Sequence, residues 1–63
     1  MIYYKLDNCV LKVDWENGDF WYYSSIHQRW NRYVTIDKAL ITNQILTGKA
    51  EELNEQELFT ELL

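Results

Sequence analysis

Asp14-Trp15-Glu16-Asn17-Gly18-Asp19-Phe20-Trp21-Tyr22-Tyr23 is the stretch on which the reading of the fold turns. A two-residue type I′ turn needs positive φ at both central positions. Asn-Gly tolerates this well, and Asn17-Gly18 separates two β-prone runs. A hairpin is therefore expected with Asn17-Gly18 at its tip. That register sets Trp15 opposite Phe20, Val13 opposite Tyr22, Leu11 opposite Ser24 and Cys9 opposite Ile26. Directly opposed residues share a face, so this face is apolar. The other face receives Asp14 opposite Trp21, Lys12 opposite Tyr23 and Val10 opposite Ser25, a mixed set. A slip of one residue would exchange the two faces.

Downstream of the hairpin, Ser25-Ile26-His27-Gln28 is expected to turn the chain back into a further antiparallel strand over Arg29-Trp30-Asn31-Arg32-Tyr33-Val34. Upstream, Ile2-Tyr3-Tyr4-Lys5-Leu6 reads either as a separate strand with Asp7-Asn8 as its turn or as an extension of the first hairpin strand. The result is a meander of three or four strands. Two helices follow. The first is expected from about Asp37, an N-cap or first-turn anion, to Thr47, with Gly48 supplying the left-handed position after its end. Its apolar residues Ile36, Leu40, Ile41, Ile45 and Leu46 spread over a broad arc, which predicts a helix touched on two sides. Before the second, Asn54 with Glu57 has the spacing of a capping box, and Leu53 with Leu58 that of a hydrophobic staple. Leu58, Phe59, Leu62 and Leu63 then form its apolar stripe, and residues 49–52 read as a connector or a short helical turn. The expectation is one α+β domain over 1–63: a small antiparallel β-meander in 1–36, and a helical pair in 37–63 with both short helices on one sheet face.

Composition limits what such a domain can be. The chain has 63 residues, 48% of them apolar, 25% charged and 16% aromatic, which is too short for two domains of ordinary size. No apolar run approaches the ~18 residues of a membrane-spanning helix, and the first residues lack the features of a signal peptide, so a cytoplasmic protein is expected. A single cysteine, Cys9, agrees with that compartment, because small secreted domains lean on several disulfides. Charge is unevenly spread. In residues 1–36, Lys5, Lys12, Arg29 and Arg32 balance Asp7, Asp14, Glu16 and Asp19. In residues 37–63, Lys38 and Lys49 face Asp37, Glu51, Glu52, Glu55, Glu57 and Glu61, so the whole formal charge of −4 lies there.

The pattern for catalysis is missing. Cys9 falls on the apolar face, where a thiol acts as a small hydrophobe, and the lone imidazole, His27, belongs to a turn. One His and one Cys cannot supply a zinc site, and Asp14, Glu16 and Asp19 lack the spacing of a calcium loop. Gly18 and Gly48 are the only glycines, too few for a phosphate-binding loop. A non-catalytic protein without a cofactor or metal is expected.

Phe20-Trp21-Tyr22-Tyr23 carries the functional reading, because alternation sends Trp21 and Tyr23 to the face opposite Phe20 and Tyr22. If both helices cover one face, Trp21 and Tyr23, with Trp30 or Tyr33, are left on the open one beside Lys12, Arg29 or Arg32. Aromatic rings with arginine are what protein contact surfaces are made of. The interaction set read from the sequence is Trp21, Tyr23, Trp30, Arg32 and Lys12, and the expected partner is a second copy, as a homodimer, or another protein. Burial beneath another chain segment, or cover by Lys and Arg stems, is the competing structural reading of the same rings.

A single-stranded nucleic acid, its bases stacked on Trp21, Tyr23 and Trp30, is the alternative partner, opposed by the net charge. A helix-turn-helix over 37–63 is disfavoured because its second helix begins Glu55-Gln56-Glu57. Trp15, the glycine-containing turn, Tyr22-Tyr23 and Trp30 resemble a WW domain in outline. The two tryptophans stand only 15 positions apart, however, and no proline packs on Trp15, so polyproline binding is not carried over.

Overall fold

The computed structural model describes residues 1–63 apart from the side chain of Ile36. The order of elements is β1 (Ile2–Leu6), β2 (Cys9–Asp14), β3 (Asp19–Ser24), β4 (Arg29–Arg32), α1 (Thr35–Leu46), β5 (Glu51–Leu53) and α2 (Glu55–Leu62). The α+β class and the meander are as the sequence predicts, with Ile2–Leu6 a strand of its own. All pairings are antiparallel, and the sheet runs β4-β3-β2-β1-β5.

The central hairpin is displaced by two residues from the expected register: Val13 lies opposite Phe20 and Leu11 opposite Tyr22. Its loop holds four residues, Trp15 to Gly18, and only Gly18 takes a left-handed φ, +69°. Asp14 is the physical reason. Its carboxylate accepts the Asn17 backbone N–H at 3.3 Å and the Asn17 side-chain amide at 2.8 Å, which favours the wider loop over a two-residue turn. Trp15 then folds back, donating from Nε1 to the Tyr4 hydroxyl at 3.2 Å with its ring edge-on to Phe20. A shift of two preserves the side-chain alternation, so the two sheet faces are those expected. The pairing of Cys9 with Ile26 is not formed: Cys9 lies opposite Leu6, and Ile26 stands exposed in the β3–β4 turn.

Alternation gives one face Ile2, Tyr4, Leu6, Cys9, Leu11, Val13, Phe20 and Tyr22. The helix α1 crosses this face from the β4 edge to the β5 edge. Ile41 closes a core with Tyr4, Leu11, Val13 and Phe20, and Ile45, Tyr33 and Ala50 pack around it. The helix begins two residues before Asp37, which sits in its first turn, and Val34 occupies the N-cap with no side-chain hydrogen bond. Its end is a Schellman motif: Gly48, at φ +80°, donates its N–H to Ile45 O at 3.1 Å, and Lys49 donates to Gln44 O at 3.0 Å. Contact on two sides is not found. Leu40 (58% exposed) and Leu46 (76%) point away from the sheet, while the Ile36 side chain lies outside the described residues.

The segment read as a connector contains the fifth strand. Glu51-Glu52-Leu53 has no β-like pattern; the free edge of β1 recruits it, with Glu51 opposite Lys5 and Leu53 opposite Tyr3. This pairing also separates the helices, which lie on opposite faces of the sheet. Leu53 is buried on the face away from Tyr4, and the staple spacing of Leu53 and Leu58 draws α2 to that side. There Val10 is buried and Lys5 Nζ meets Glu61 at 2.9 Å. The capping box forms as predicted: Asn54 Oδ1 accepts the Glu57 N–H at 2.8 Å, and Glu57 Oε1 accepts the Asn54 N–H at 3.1 Å. The predicted stripe divides, because Leu58 and Leu62 are half-buried while Phe59 (69% exposed) and Leu63 face outward.

Candidate interaction surface

On the face that carries α2, the helix covers only the β5–β1 side and reaches as far as Val10 of β2. The remainder, over β2, β3 and β4, holds Lys12, Trp21, Tyr23, Trp30 and Arg32, so the five residues singled out from sequence stand together. Register is the cause: Lys12 lies opposite Trp21, Trp21 opposite Arg32, and Tyr23 opposite Trp30.

Lys12 is the centre of the cluster. Its ammonium sits 4.8 Å from the ring centroid of Trp21 and 4.7 Å from that of Trp30, close enough for cation–π attraction to both. The Arg32 guanidinium lies 5.7 Å from Trp21 and is ion-paired to Asp19, which Lys38 approaches at 3.9 Å. The Tyr23 and Trp30 rings meet edge to face at 5.3 Å. Among the described residues, Lys12 has no carboxylate at ion-pair distance. Lys12, Trp21, Tyr23 and Trp30 are all half-buried: they shield one another without being enclosed.

Two neighbours expected on this side lie elsewhere. Arg29 is opposite Ser24 and so belongs to the α1 face, and Tyr33 packs against the core with its ring 4.8 Å from Tyr22. Alternation accounts for both: Arg29, Asn31 and Tyr33 have the parity opposite to Trp30 and Arg32, and the Tyr33 N–H continues the ladder by donating to Phe20 O at 2.9 Å. Tyr3 joins the cluster, opposite Lys12 and 6.0 Å from the Trp30 ring. Its signal was the Asp7-Asn8 turn, which fixes Tyr3 on the Lys12 face once residues 2–6 form a separate strand.

Burial pushes the Cys9 thiol above its usual pKa, an effect that Tyr33 partly offsets, and the proton stays on sulfur at neutral pH. Burial likewise raises Tyr33 to about 12, helped by Cys9, Tyr22 and Asp37. Beside α2, Lys5, Glu51, Leu53, Gln56, Glu57, Thr60 and Glu61 line an open groove of about 350 Å³. Hydrogen bonding to Glu61 raises the pKa of Lys5 there. Among the described residues, no three His, Cys, Asp or Glu side chains are grouped to hold a metal ion. Among the described residues, no helix is long and apolar enough to cross a membrane.

Comparison with protein-family models, curated proteins and solved structures gives no match.

Proposed function

We infer that this domain is a non-catalytic protein-interaction module whose docking surface is the aromatic–cationic half-face of Lys12, Trp21, Tyr23, Trp30 and Arg32. The observation that carries the reading is the Lys12 ammonium held between two half-exposed indoles on the part of the sheet that no helix covers. Half-exposed indoles beside an arginine concentrate the side chains that dominate protein contacts. Self-association is the more economical form, since the same patch then adds apolar burial to a short chain. Nucleic acid is the weaker partner: the acidic α2 stands on the same sheet face and repels phosphate.

Sedimentation velocity over a range of concentrations, with Trp21→Ala alongside, tests the reading. A mass that rises with concentration and falls back in the variant supports it. Association indifferent to Trp21→Ala removes the role of this face. Saturable quenching of the tryptophans by a single-stranded oligonucleotide at low salt reassigns the face to nucleic acid.

A further inference from the structure

We propose that the occupant of this half-face is a second copy of the chain, each copy laying its acidic helix α2 across the Lys12, Trp21 and Trp30 cluster of the other. The proposal rests on the interaction reading above and adds the partner and its arrangement.

The face is stepped. A helix is about 10 Å across, so α2 rises as a ridge beside the low aromatic half, and a flat partner meeting the ridge could not reach the rings. A second copy can. Rotation by a half-turn about an axis in the plane of the interface, parallel to the strands and at the foot of the ridge, carries each ridge over the other copy's trough. Ridge and trough lie on one face of one chain, so the contact is isologous and closes at two copies.

Charge favours the same arrangement. The ridge carries Glu55, Glu57 and Glu61 and no basic residue, whereas the trough presents Lys12 without a carboxylate partner among the described residues. Glu61 is engaged by Lys5 and Glu57 by the capping box, while Glu55 opens the helix at its exposed N-terminal end and Gln56 stands toward the crest of the ridge. Helical spacing accounts for the outward residues. At about 100° per residue, Phe59 lies on the flank opposite the one lined by Glu57 and Glu61, on the side toward β2 and the rotation axis. Phe59, 69% exposed in the single chain, therefore faces its own equivalent across the axis.

Mixing two charge-reversed full-length chains gives the test. Lys12→Glu reverses the trough, and the double variant Glu55→Lys/Gln56→Lys reverses the ridge while leaving Asn54 and Glu57 intact. Circular dichroism establishes that each is folded, and Lys12→Gln replaces Lys12→Glu if that chain is not. Sedimentation and fluorescence anisotropy read the association. The expected result is that either reversed variant alone dimerises at least about tenfold more weakly than the natural chain, since like charges then meet at both contacts. The equimolar mixture recovers the natural affinity to within about threefold, because every contact again pairs opposite charges; with Lys12→Gln the recovery is partial. Association that is weakened by Trp21→Ala yet indifferent to the ridge reversal, with no recovery on mixing, overturns this arrangement and leaves the interaction reading standing. A natural chain that remains monomeric at millimolar concentration overturns the second copy as occupant. Association unaffected by Trp21→Ala refutes the underlying reading itself.

Discussion

Shortening Val13 to alanine probes the phase of the sheet more directly than any other single change. Val13 is fully buried, between the cross-strand neighbours Ile2 and Phe20. Removing two methyl groups forfeits about 1.6 kcal/mol of transfer free energy, at ~0.8 kcal/mol per buried carbon. The void left in a core with so few members adds about 1 kcal/mol more, at ~24 cal/mol per Å³ over the volume of two methyls. The expected loss is about 2–3 kcal/mol, which for a domain of this size lowers Tm by roughly 10–20 °C. Urea unfolding followed by far-ultraviolet circular dichroism measures it, with the midpoint falling and the slope unchanged. A loss below about 0.5 kcal/mol is the signature of a surface position. That result would place Val13 on the open face, put the strands out of phase by one residue, and break the facial grouping of Lys12, Trp21 and Trp30.

Other perturbations act on separate parts of the fold. Asn54→Ala removes the side-chain acceptor of the capping box while keeping the backbone N–H that donates to Glu57, and should cost about 1 kcal/mol, with amide exchange accelerating in residues 55–62 before the meander is affected. Lys12→Met keeps the apolar stem and deletes the charge, so about 1–2 kcal/mol is lost with its two indole contacts, accompanied by a change in tryptophan emission; unchanged stability and emission would count against the clamp. Tyr33 holds its proton more tightly in the folded state than in the unfolded chain. Its contribution is therefore complete below pH 10 and is lost as the pH rises toward 12, and Tyr33→Phe should flatten this alkaline decline in stability. Asp14, held below the usual carboxylate range by the Asn17 side chain, acts in the opposite direction. Its contribution is present above the unfolded carboxylate value and is lost as the pH falls through the folded one, and Asn17→Ala, which deletes the side-chain bond but keeps the backbone N–H, weakens that dependence.

The parts of the fold legible in the sequence are those governed by local chemistry. Alternation placed Lys12, Trp21 and Tyr23 on one face despite a register off by two, because parity survives an even shift. The spacing of Asn54 and Glu57 marked the start of α2 because a capping box is closed entirely by neighbours in sequence. Two features depended on residues far along the chain and were not legible. Glu51-Glu52-Leu53 became a strand only through the free edge of β1, and that pairing, by fixing the side to which Leu53 points, sent α2 to the face opposite α1. Tyr33 was legible by the same rule as Trp21 and Tyr23: three residues from Trp30 it has the opposite parity, so only one of Trp30 and Tyr33 could join the open face.

The pairing of Tyr3 with Leu53 joins the first and last strands of the chain, and it has a consequence for synthesis. The four hairpin-linked strands are complete once residue 32 is made, while the outer rim of β1 gains its rungs only after residue 53. Local hairpins form in microseconds, so a chain emerging from the ribosome at ~5–20 residues per second carries an uncapped rim and an uncovered core face for about a second or longer. During that interval the nascent meander is open to edge-to-edge pairing with other chains, and the late-arriving Glu51-Glu52-Leu53 closes that route.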